Sequence, residues 1–187
     1  MKIGVLPIGQ VDEAILIGIC EGLTRVFPDT TCVLVDQKLP LRHEAFDQKR
    51  KQYRSNVILR EVQGFAVKNP DLNCILGIMD ADIFIRELNF VFGEAVYLGK
   101  AALISLWRLR PEFYGAASSG GLFFERAVKE AVHEVGHTLG LGHCSRASCV
   151  MHFSNSISDT DIKQSVFCDR CFSHSKISKS RLGKCHG

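Results

Sequence analysis

Three histidines that could bind one metal ion fall in the segment HEVGHTLGLGH, which begins at His133. His133 and His137 are four residues apart in a pattern typical of a helix, so their imidazoles share one face and can reach the same ion. Glu134 is rotated by about 100° from His133, where its carboxylate can contact a water on the metal without being a ligand. Gly140 can adopt the positive φ of a sharp turn, which would bring His143 back as the third nitrogen.

Three neutral nitrogens leave the fourth position of a tetrahedral zinc open to water, which is the arrangement of a catalytic site. The alternative interpretation is that the histidines are ordinary residues of a helix surface. Against it, the string His-Glu-x-x-His-x-x-Gly-x-x-His specifies five positions, and average compositions give it a chance of about 10⁻⁴ or less in such a chain. The sequence therefore predicts a zinc site at His133, His137 and His143, with Glu134 as the residue that handles protons.

Four cysteines follow in two pairs that suit a second metal ion. Cys144 and Cys149 have four residues between them, and Cys168 and Cys171 have two, spacings that let each pair hold one side of a tetrahedral ion. Four thiolates fill the coordination sphere, so this zinc would stabilise the fold and perform no chemistry. The alternatives are two disulfides or four ordinary thiols; a reducing compartment disfavours the first, and the paired spacing disfavours the second. His143 then faces the open site and Cys144 the closed one.

Strands and helices alternate along the part of the chain that must position these residues. The apolar runs KIGVLPI, TCVLV and NCILGIM predict buried strands, and the amphipathic segments VDEAILIGICEGLTRVF and QYRSNVILREVQGFA predict helices between them. Such alternation predicts a sheet that is at least partly parallel. FVFGEAVYLG and AALISLWRL predict an antiparallel pair that turns near Gly99 and Lys100, with a glycine that could mark a bulge. LFFERAVKEAVHEVGHTLG predicts the long helix that carries the histidines and ends at Gly140.

Length and composition fit a single domain over residues 1–187. Of the 187 residues, 46% are hydrophobic, which is enough to build a core. We expect an α/β fold with a mixed sheet in residues 1–140 and a smaller cysteine-rich zinc subdomain in residues 141–187. The other cysteines and histidines are expected in the core (Cys20, Cys32, Cys74) or at the surface and in the tail (His43, His152, His174, Cys185).

No export signal or membrane span is visible in the sequence. The N-terminus meets Pro7, Asp12 and Glu13 before any apolar stretch of signal-peptide length, and no apolar run approaches the roughly eighteen residues of a membrane helix. We expect a cytoplasmic monomer with reduced thiols and no membrane partner. The net charge is +3, and we interpret the basic C-terminal segment as a solvated surface rather than a nucleic-acid site. Its basic residues are Lys163, Arg170, Lys176, Lys179, Arg181 and Lys184.

The string from His133 to His143 matches the metzincin consensus, and Met151 stands where those peptidases have their Met-turn. The added cysteine pairs, together with ILGIMDADIF, LNFVFGEA and MHFSNS, resemble one branch of that clan, the archaemetzincins, over most of residues 1–172. The resemblance implies a metzincin-like fold, with a mixed sheet on one side of the active-site helix and a smaller C-terminal part on the other. It also implies two zinc ions and metallopeptidase activity. Unlike better-known metzincins, the chain has no tyrosine after Met151.

The leading functional prediction is a zinc peptidase that acts on a peptide or protein. Zinc would activate a water and polarise the scissile carbonyl, and Glu134 would pass a proton from the water to the leaving amine. From the family layout, the strand in VFGEAVYLG could pair with an extended peptide. One alternative is a non-enzymatic zinc protein that binds peptides without efficient turnover, which Glu134 argues against. The other is a nucleic-acid module built on the four cysteines, which lacks interleaved aromatic residues.

Overall fold

A mixed sheet with helices on both faces forms the body of the protein. The computed structural model describes residues 1–175. Residues 176–187 lie outside the described residues; they include Cys185 and four of the six basic residues of the predicted basic segment. The strands are β1 Lys2–Ile8, β2 Thr31–Leu34, β3 Phe46–Asp47, β4 Gln52–Arg54, β5 Cys74–Met79, β6 Ile83–Phe84, β7 Gly93–Ala95 and β8 Ala101–Ser105. The helices are α1 Glu13–Val26, α2 Ser55–Lys68, α3 Gly120–Thr138, α4 Ile157–Ile162 and α5 Asp169–His174. None of these helices is long and apolar enough to cross a membrane.

The main sheet of the described residues has five strands in the order β2-β1-β5-β8-β7. The first four are parallel, and β7 runs antiparallel to β8 at the edge. This confirms the predicted partly parallel sheet and its antiparallel pair, with Gly99 and Lys100 in the turn between the two strands. The bulge considered at Gly93 is wrong, because the register between β7 and β8 is regular from Gly93 to Ala95.

The sheet separates two apolar layers. On one face, α1 and α3 contribute Leu23 and Val132 to a buried cluster, and on the other α2 contributes Ile58 and Val62 to a second. Strands β5 and β8 are buried at every position. Continuous apolar runs are the pattern of parallel strands that are covered on both faces, which explains why these strands show no alternation in sequence.

Helix α3 carries the histidines and is enclosed along most of its length. It begins after Ser119, whose hydroxyl accepts a hydrogen bond of 3.4 Å from the Leu122 N–H, and every residue from 126 to 136 is buried. It ends at Thr138, and Gly140 follows with a φ of +88°. The predicted turn out of the helix is therefore confirmed, and a residue with a Cβ would be strained there.

Two expectations for the N-terminal part are wrong in detail. Gln52–Arg54 form strand β4 rather than the first turn of the predicted helix, which begins at Ser55. Cys74 is buried as expected, but Cys20 and Cys32 are only half-buried, and their sulfurs lie 2.8 Å apart. The reason is that α1 packs against β2 at the edge of the sheet, where the apolar layer opens to solvent.

Candidate metal centres and active-site cleft

Three imidazoles converge where α3 ends and the chain turns back. His133 and His137 lie one helical turn apart, and their Nε2 atoms are 3.0 Å from each other. The turn at Gly140 returns the His143 ring to them, with its centroid 5.4 Å from that of His133 and 4.9 Å from that of His137. One nitrogen of each ring lies within 4.8 Å of the other two. The structure thus brings together the three histidines that the motif singled out.

Backbone carbonyls determine which nitrogens the first two rings offer to a metal. Nδ1 of His133 lies 2.7 Å from the Val150 carbonyl, and Nδ1 of His137 lies 2.8 Å from the Leu141 carbonyl. A carbonyl only accepts, so Nδ1 carries the proton in each ring and Nε2 keeps its lone pair. Burial lowers the pKa of all three imidazoles, most strongly that of His133. This favours the neutral form that metal binding requires.

The donor set of the three histidines fits zinc. Neutral imidazole is a preferred zinc ligand, and two nitrogens on one tetrahedral zinc lie about 3.3 Å apart, close to the 3.0 Å between Nε2 of His133 and Nε2 of His137. Within residues 1–175, no carboxylate or thiol completes the group. Three protein ligands leave one position of a tetrahedral ion open, which is the condition for a catalytic site.

Glu134 lies beside the histidines in a cleft of about 270 Å³. A glycine on β7 makes room for it, because a Cβ on Gly93 would lie 2.6 Å from both Cγ and Oε1 of Glu134. Glu134 is 5% exposed. Burial and the nearby Glu130 carboxylate raise its pKa well above the usual value, against the opposing effect of Lys163. A raised pKa makes a carboxylate a stronger base, which is the direction that general-base catalysis needs.

The cleft runs between the edge strand β7 and the segment that follows Met151. The ring of Phe153, from that segment, lies 5.0 Å from the ring of His143. The lining away from the histidines is mainly apolar and includes Ile85, Leu88, Phe90, Phe92, Tyr97 and Phe153. An edge strand presents main-chain N–H and C=O groups that an extended chain can pair with. The cleft therefore has the shape and chemistry to hold a peptide.

Four cysteine sulfurs form a second cluster next to the first. The Sγ atoms of Cys144, Cys149, Cys168 and Cys171 all lie within 4.8 Å of one another, and those of Cys144 and Cys168 are 3.8 Å apart. Sulfurs on one tetrahedral zinc are also about 3.8 Å apart, whereas a disulfide bond measures about 2.05 Å. The Cys171 N–H lowers the pKa of Cys168 to about 7, whereas burial raises the pKa of Cys149 and of Cys171. A bound metal ion favours the thiolate form of its cysteine ligands. The cluster fits a closed four-thiolate zinc site rather than two disulfides.

Short backbone contacts join the two clusters. The Cys144 N–H donates to the Met151 carbonyl at 2.8 Å, and the adjacent Val150 carbonyl accepts from His133. Met151 is fully buried, and a Cβ on Gly136 would lie 2.5 Å from its sulfur. Met151 thus packs on α3 between the two helical histidines, at the place where the resemblance expects a Met-turn. One short segment supports ligands of both candidate sites.

Buried charges fix α4 to α3 beside the histidines. Lys163 is fully buried, with Nζ 2.9 Å from Oε1 of Glu130, so its interpretation as part of a basic surface is wrong. The same oxygen accepts a hydrogen bond of 2.9 Å from the Thr160 hydroxyl. Arg126 binds Asp161 through two hydrogen bonds of 2.7 Å. These contacts tie the segment that leads to the second cysteine pair to the helix that carries the histidines.

Replacing Lys163 with methionine is expected to lower the free energy of unfolding by about 3 kcal/mol, because the Glu130 carboxylate stays buried without its counter-charge. The double variant Lys163→Met, Glu130→Gln removes both charges and keeps an acceptor for Thr160, so it should recover most of that loss. Chemical denaturation of the zinc-loaded proteins measures both effects. If the Lys163→Met protein is as stable as the parent protein, the ion pair does not stabilise the contact between α3 and α4.

Several residues around the cleft carried no recognisable signal in the sequence. In the sequence, Gly93 is one glycine within a predicted strand, and Lys163 is one of several basic residues. The Tyr97 hydroxyl donates to the Gly140 carbonyl at 2.8 Å and holds the turn after β7 against the end of α3. His152, expected as a surface residue, is half-buried, with Nδ1 2.9 Å from the Cys144 carbonyl. Each contact joins residues whose pairing depends on the fold, so spacing alone could not reveal it.

A mixed sheet packed on a helix with the motif His-Glu-x-x-His-x-x-Gly-x-x-His defines the class of zinc-dependent metallopeptidases of the metzincin type. The model of peptidase family M54 matches residues 25–177. The archaemetzincin of Methanocaldococcus jannaschii is 42% identical over 171 residues, which cover 91% of this chain and 90% of the relative. That of Pyrococcus abyssi is 39% identical over 170 residues, 89% of this chain and 90% of the relative.

Solved structures agree with these matches. The archaemetzincin of Archaeoglobus fulgidus, solved in complex with malonate, superposes with a TM-score of 0.79 at 36% identity, over 92% of this chain and 99% of that one. The archaemetzincin of Methanopyrus kandleri gives a TM-score of 0.82 at 30% identity, over 97% and 96% of the two chains. The chain belongs to peptidase family M54, the archaemetzincins. It is a zinc metallopeptidase, and the predicted family and metzincin-like fold are confirmed.

Proposed function

We propose that this metallopeptidase hydrolyses peptide bonds with a zinc ion held by His133, His137 and His143 and with Glu134 as the general base. The observation that carries the proposal is the convergence of three imidazole nitrogens beside a buried carboxylate in an open cleft. When bound, the zinc supplies a Lewis acid that polarises the scissile carbonyl and lowers the pKa of a water molecule. Family membership favours this function over the alternative of a non-enzymatic zinc protein.

Glu134 moves the proton in this proposal. Its Oε1 is held beside β7 at Gly93, in the same cleft as the histidines. The carboxylate takes a proton from the attacking water and then donates it to the leaving amine. Lys163 lies 2.9 Å from Glu130 nearby, so the second buried carboxylate beside Glu134 has its own counter-charge.

The substrate of this proposal is an extended peptide that lies along β7. Strand β7 is the edge of the main sheet, and its residues face the cleft together with Glu134. Main-chain pairing with an edge strand orients a peptide without demanding a particular sequence. The apolar lining, which includes Phe90, Phe92 and Phe153, favours apolar or aromatic side chains next to the cleaved bond.

In this proposal, a second zinc ion is held by the four cysteines and has a structural role. The sulfur separations support it, and a closed thiolate site contributes folding free energy instead of chemistry. The division at residue 140, the monomeric state and the cytoplasmic location stay predictions from the sequence.

The burial of Lys163 weakens the nucleic-acid alternative, because it removes one basic residue from the surface that would bind nucleic acid.

A peptide library with mass-spectrometric detection of products tests the proposed reaction. We expect the zinc-loaded protein to cleave peptides with apolar residues beside the broken bond, to lose this activity on chelation and to regain it when zinc is restored. The variant His137→Ala controls for contaminating proteases, because it lacks one ligand of the proposed catalytic zinc. Absence of any product from protein with a fully occupied histidine site would contradict the proposed function.

A further inference from the structure

We infer that Cys20 and Cys32 form a redox modification site that closes to a reversible disulfide. Their Sγ atoms lie 2.8 Å apart, and a disulfide bond measures about 2.05 Å, so the bond forms with a displacement of under about 1 Å. Cys20 lies on α1 and Cys32 on β2. Neither element contributes a residue to the candidate zinc sites, so this pair is a separate site.

Solvent reaches both thiols of this pair. Cys20 and Cys32 are half-buried and line a surface groove with Ile17, Glu21, Thr24 and Leu34. A small oxidant or a dithiol reductant can therefore approach the sulfurs without unfolding the protein. Cys74 offers a contrast, because it is buried and accepts a contact of 3.6 Å from the Thr138 hydroxyl.

The two thiols have different roles because one donates a hydrogen bond to the other. The Cys32 S–H donates to the Cys20 sulfur, and this contact holds the pKa of Cys20 below its usual value. The same contact, with burial, raises the pKa of Cys32. Thiolates are the attacking species in thiol oxidation. In the proposed order, Cys20 meets the oxidant and Cys32 resolves the intermediate.

A hydroperoxide supplies the oxidising equivalents. The Cys20 thiolate attacks one oxygen of hydrogen peroxide, the O–O bond breaks, and the departing hydroxide takes a proton to become water, which leaves Cys20 as a sulfenic acid. The Cys32 sulfur then attacks the Cys20 sulfur, the S–O bond breaks, and the second oxygen leaves as water with the proton of the Cys32 thiol. Two thiols and one peroxide give one disulfide and two waters, and a dithiol reductant reverses the change.

The disulfide would link α1 covalently to β2, the edge strand of the main sheet. Helix α1 also packs closely on the active-site helix, where a Cβ on Gly22 would lie 2.6 Å from Cγ2 of Val128. Cross-linking residues 20 and 32 closes a short loop and restricts the unfolded chain, so the oxidised protein should melt roughly 5 to 10 °C higher than the reduced protein. The modification thus makes the layer that supports α3 more resistant to unfolding.

Peptide mapping of zinc-loaded protein treated with hydrogen peroxide tests this inference. After alkylation of the remaining thiols, we expect a cross-linked peptide that contains Cys20 and Cys32, its loss after treatment with dithiothreitol, and a higher melting temperature before that treatment. Cys20→Ser and Cys32→Ser should each abolish the cross-link and the shift. Cys74→Ala, which removes a buried thiol that contacts the Thr138 hydroxyl, should preserve both.

Two results would overturn the inference. One is full alkylation of both Cys20 and Cys32 after peroxide has already oxidised other thiols and released zinc. The other is accumulation of sulfinic acid on Cys20 without the cross-link, which would show that Cys32 does not reach it. Zinc content is measured on the same samples, so oxidation of the four clustered cysteines is distinguished from oxidation of this pair.

Discussion

Replacing Glu134 with alanine is expected to reduce kcat by roughly 10²- to 10⁴-fold while the zinc content stays at the parent level. The carboxylate lies in the cleft with the histidines but outside the group whose nitrogens converge. Its removal should therefore take away proton transfer and leave the ligands in place. An interaction needed mainly in the transition state lowers kcat more than it raises KM.

Two matched variants separate proton transfer from packing and from charge. Glu134→Gln keeps the shape of the side chain against Gly93 and loses only the ability to take up a proton, so it should be as inactive as the alanine variant. Glu21→Gln removes an exposed carboxylate from α1, where Glu21 pairs with the exposed Arg25, and should keep parent activity. Turnover of a library-derived peptide and elemental analysis are measured together. Unchanged kcat in Glu134→Gln at full zinc occupancy would exclude Glu134 as the base.

Replacing Cys171 with serine is expected to release the zinc proposed at the four cysteines and to weaken zinc binding at the histidine site by about tenfold or more. Loss of one thiolate removes much of the free energy that holds residues 144–171. In that segment the Cys144 N–H bonds the Met151 carbonyl, and the Val150 N–H donates to the Val166 carbonyl at 3.1 Å. His143 directly precedes this segment, so its position depends on the same contacts. His133 and His137 stay fixed on their helix.

Chelator competition measures the affinity of the histidine site in Cys171→Ser and in the parent protein. Limited proteolysis should cleave the variant first after residue 143, where the loosened segment begins. The reverse effect should be small: His133→Ala should keep the zinc on the four cysteines, because that site takes all its ligands from other residues. Equal histidine-site affinity in Cys171→Ser and parent would show that the two sites are independent.

The sequence predicts the candidate site well where geometry follows from local spacing. Four residues of helix place His133 and His137 on one face, and Gly140 needs only a positive φ to return His143. The observed Nε2 separation of 3.0 Å and the φ of +88° agree with both expectations. The five strands of the main sheet and the helices α1 to α3 followed from apolar runs and helical periodicity, whereas the short elements β3, β4, β6, α4 and α5 were not predicted.

Contacts between elements that are far apart in the sequence could not be predicted from the spacing of residues. Lys163 reads as a surface cation, yet it is buried against Glu130 of α3, because α4 folds back across that helix. Gly93 reads as a weak strand residue, yet its missing Cβ is what admits Glu134. Cys20 and Cys32 were assigned separately to apolar runs, but they meet because α1 packs on an edge strand. Each of these contacts depends on the packing of whole elements.

A crystal structure of the purified protein with anomalous data at the zinc edge, collected with a peptide-like inhibitor, tests the central claim most directly. The account predicts two zinc peaks in each chain. One should lie among His133, His137 and His143 with an inhibitor or solvent atom as its remaining ligand, close to Glu134, and the other among the four cysteine sulfurs. A single peak, or a histidine-bound zinc closed by a fourth protein ligand, would contradict a catalytic site of this kind.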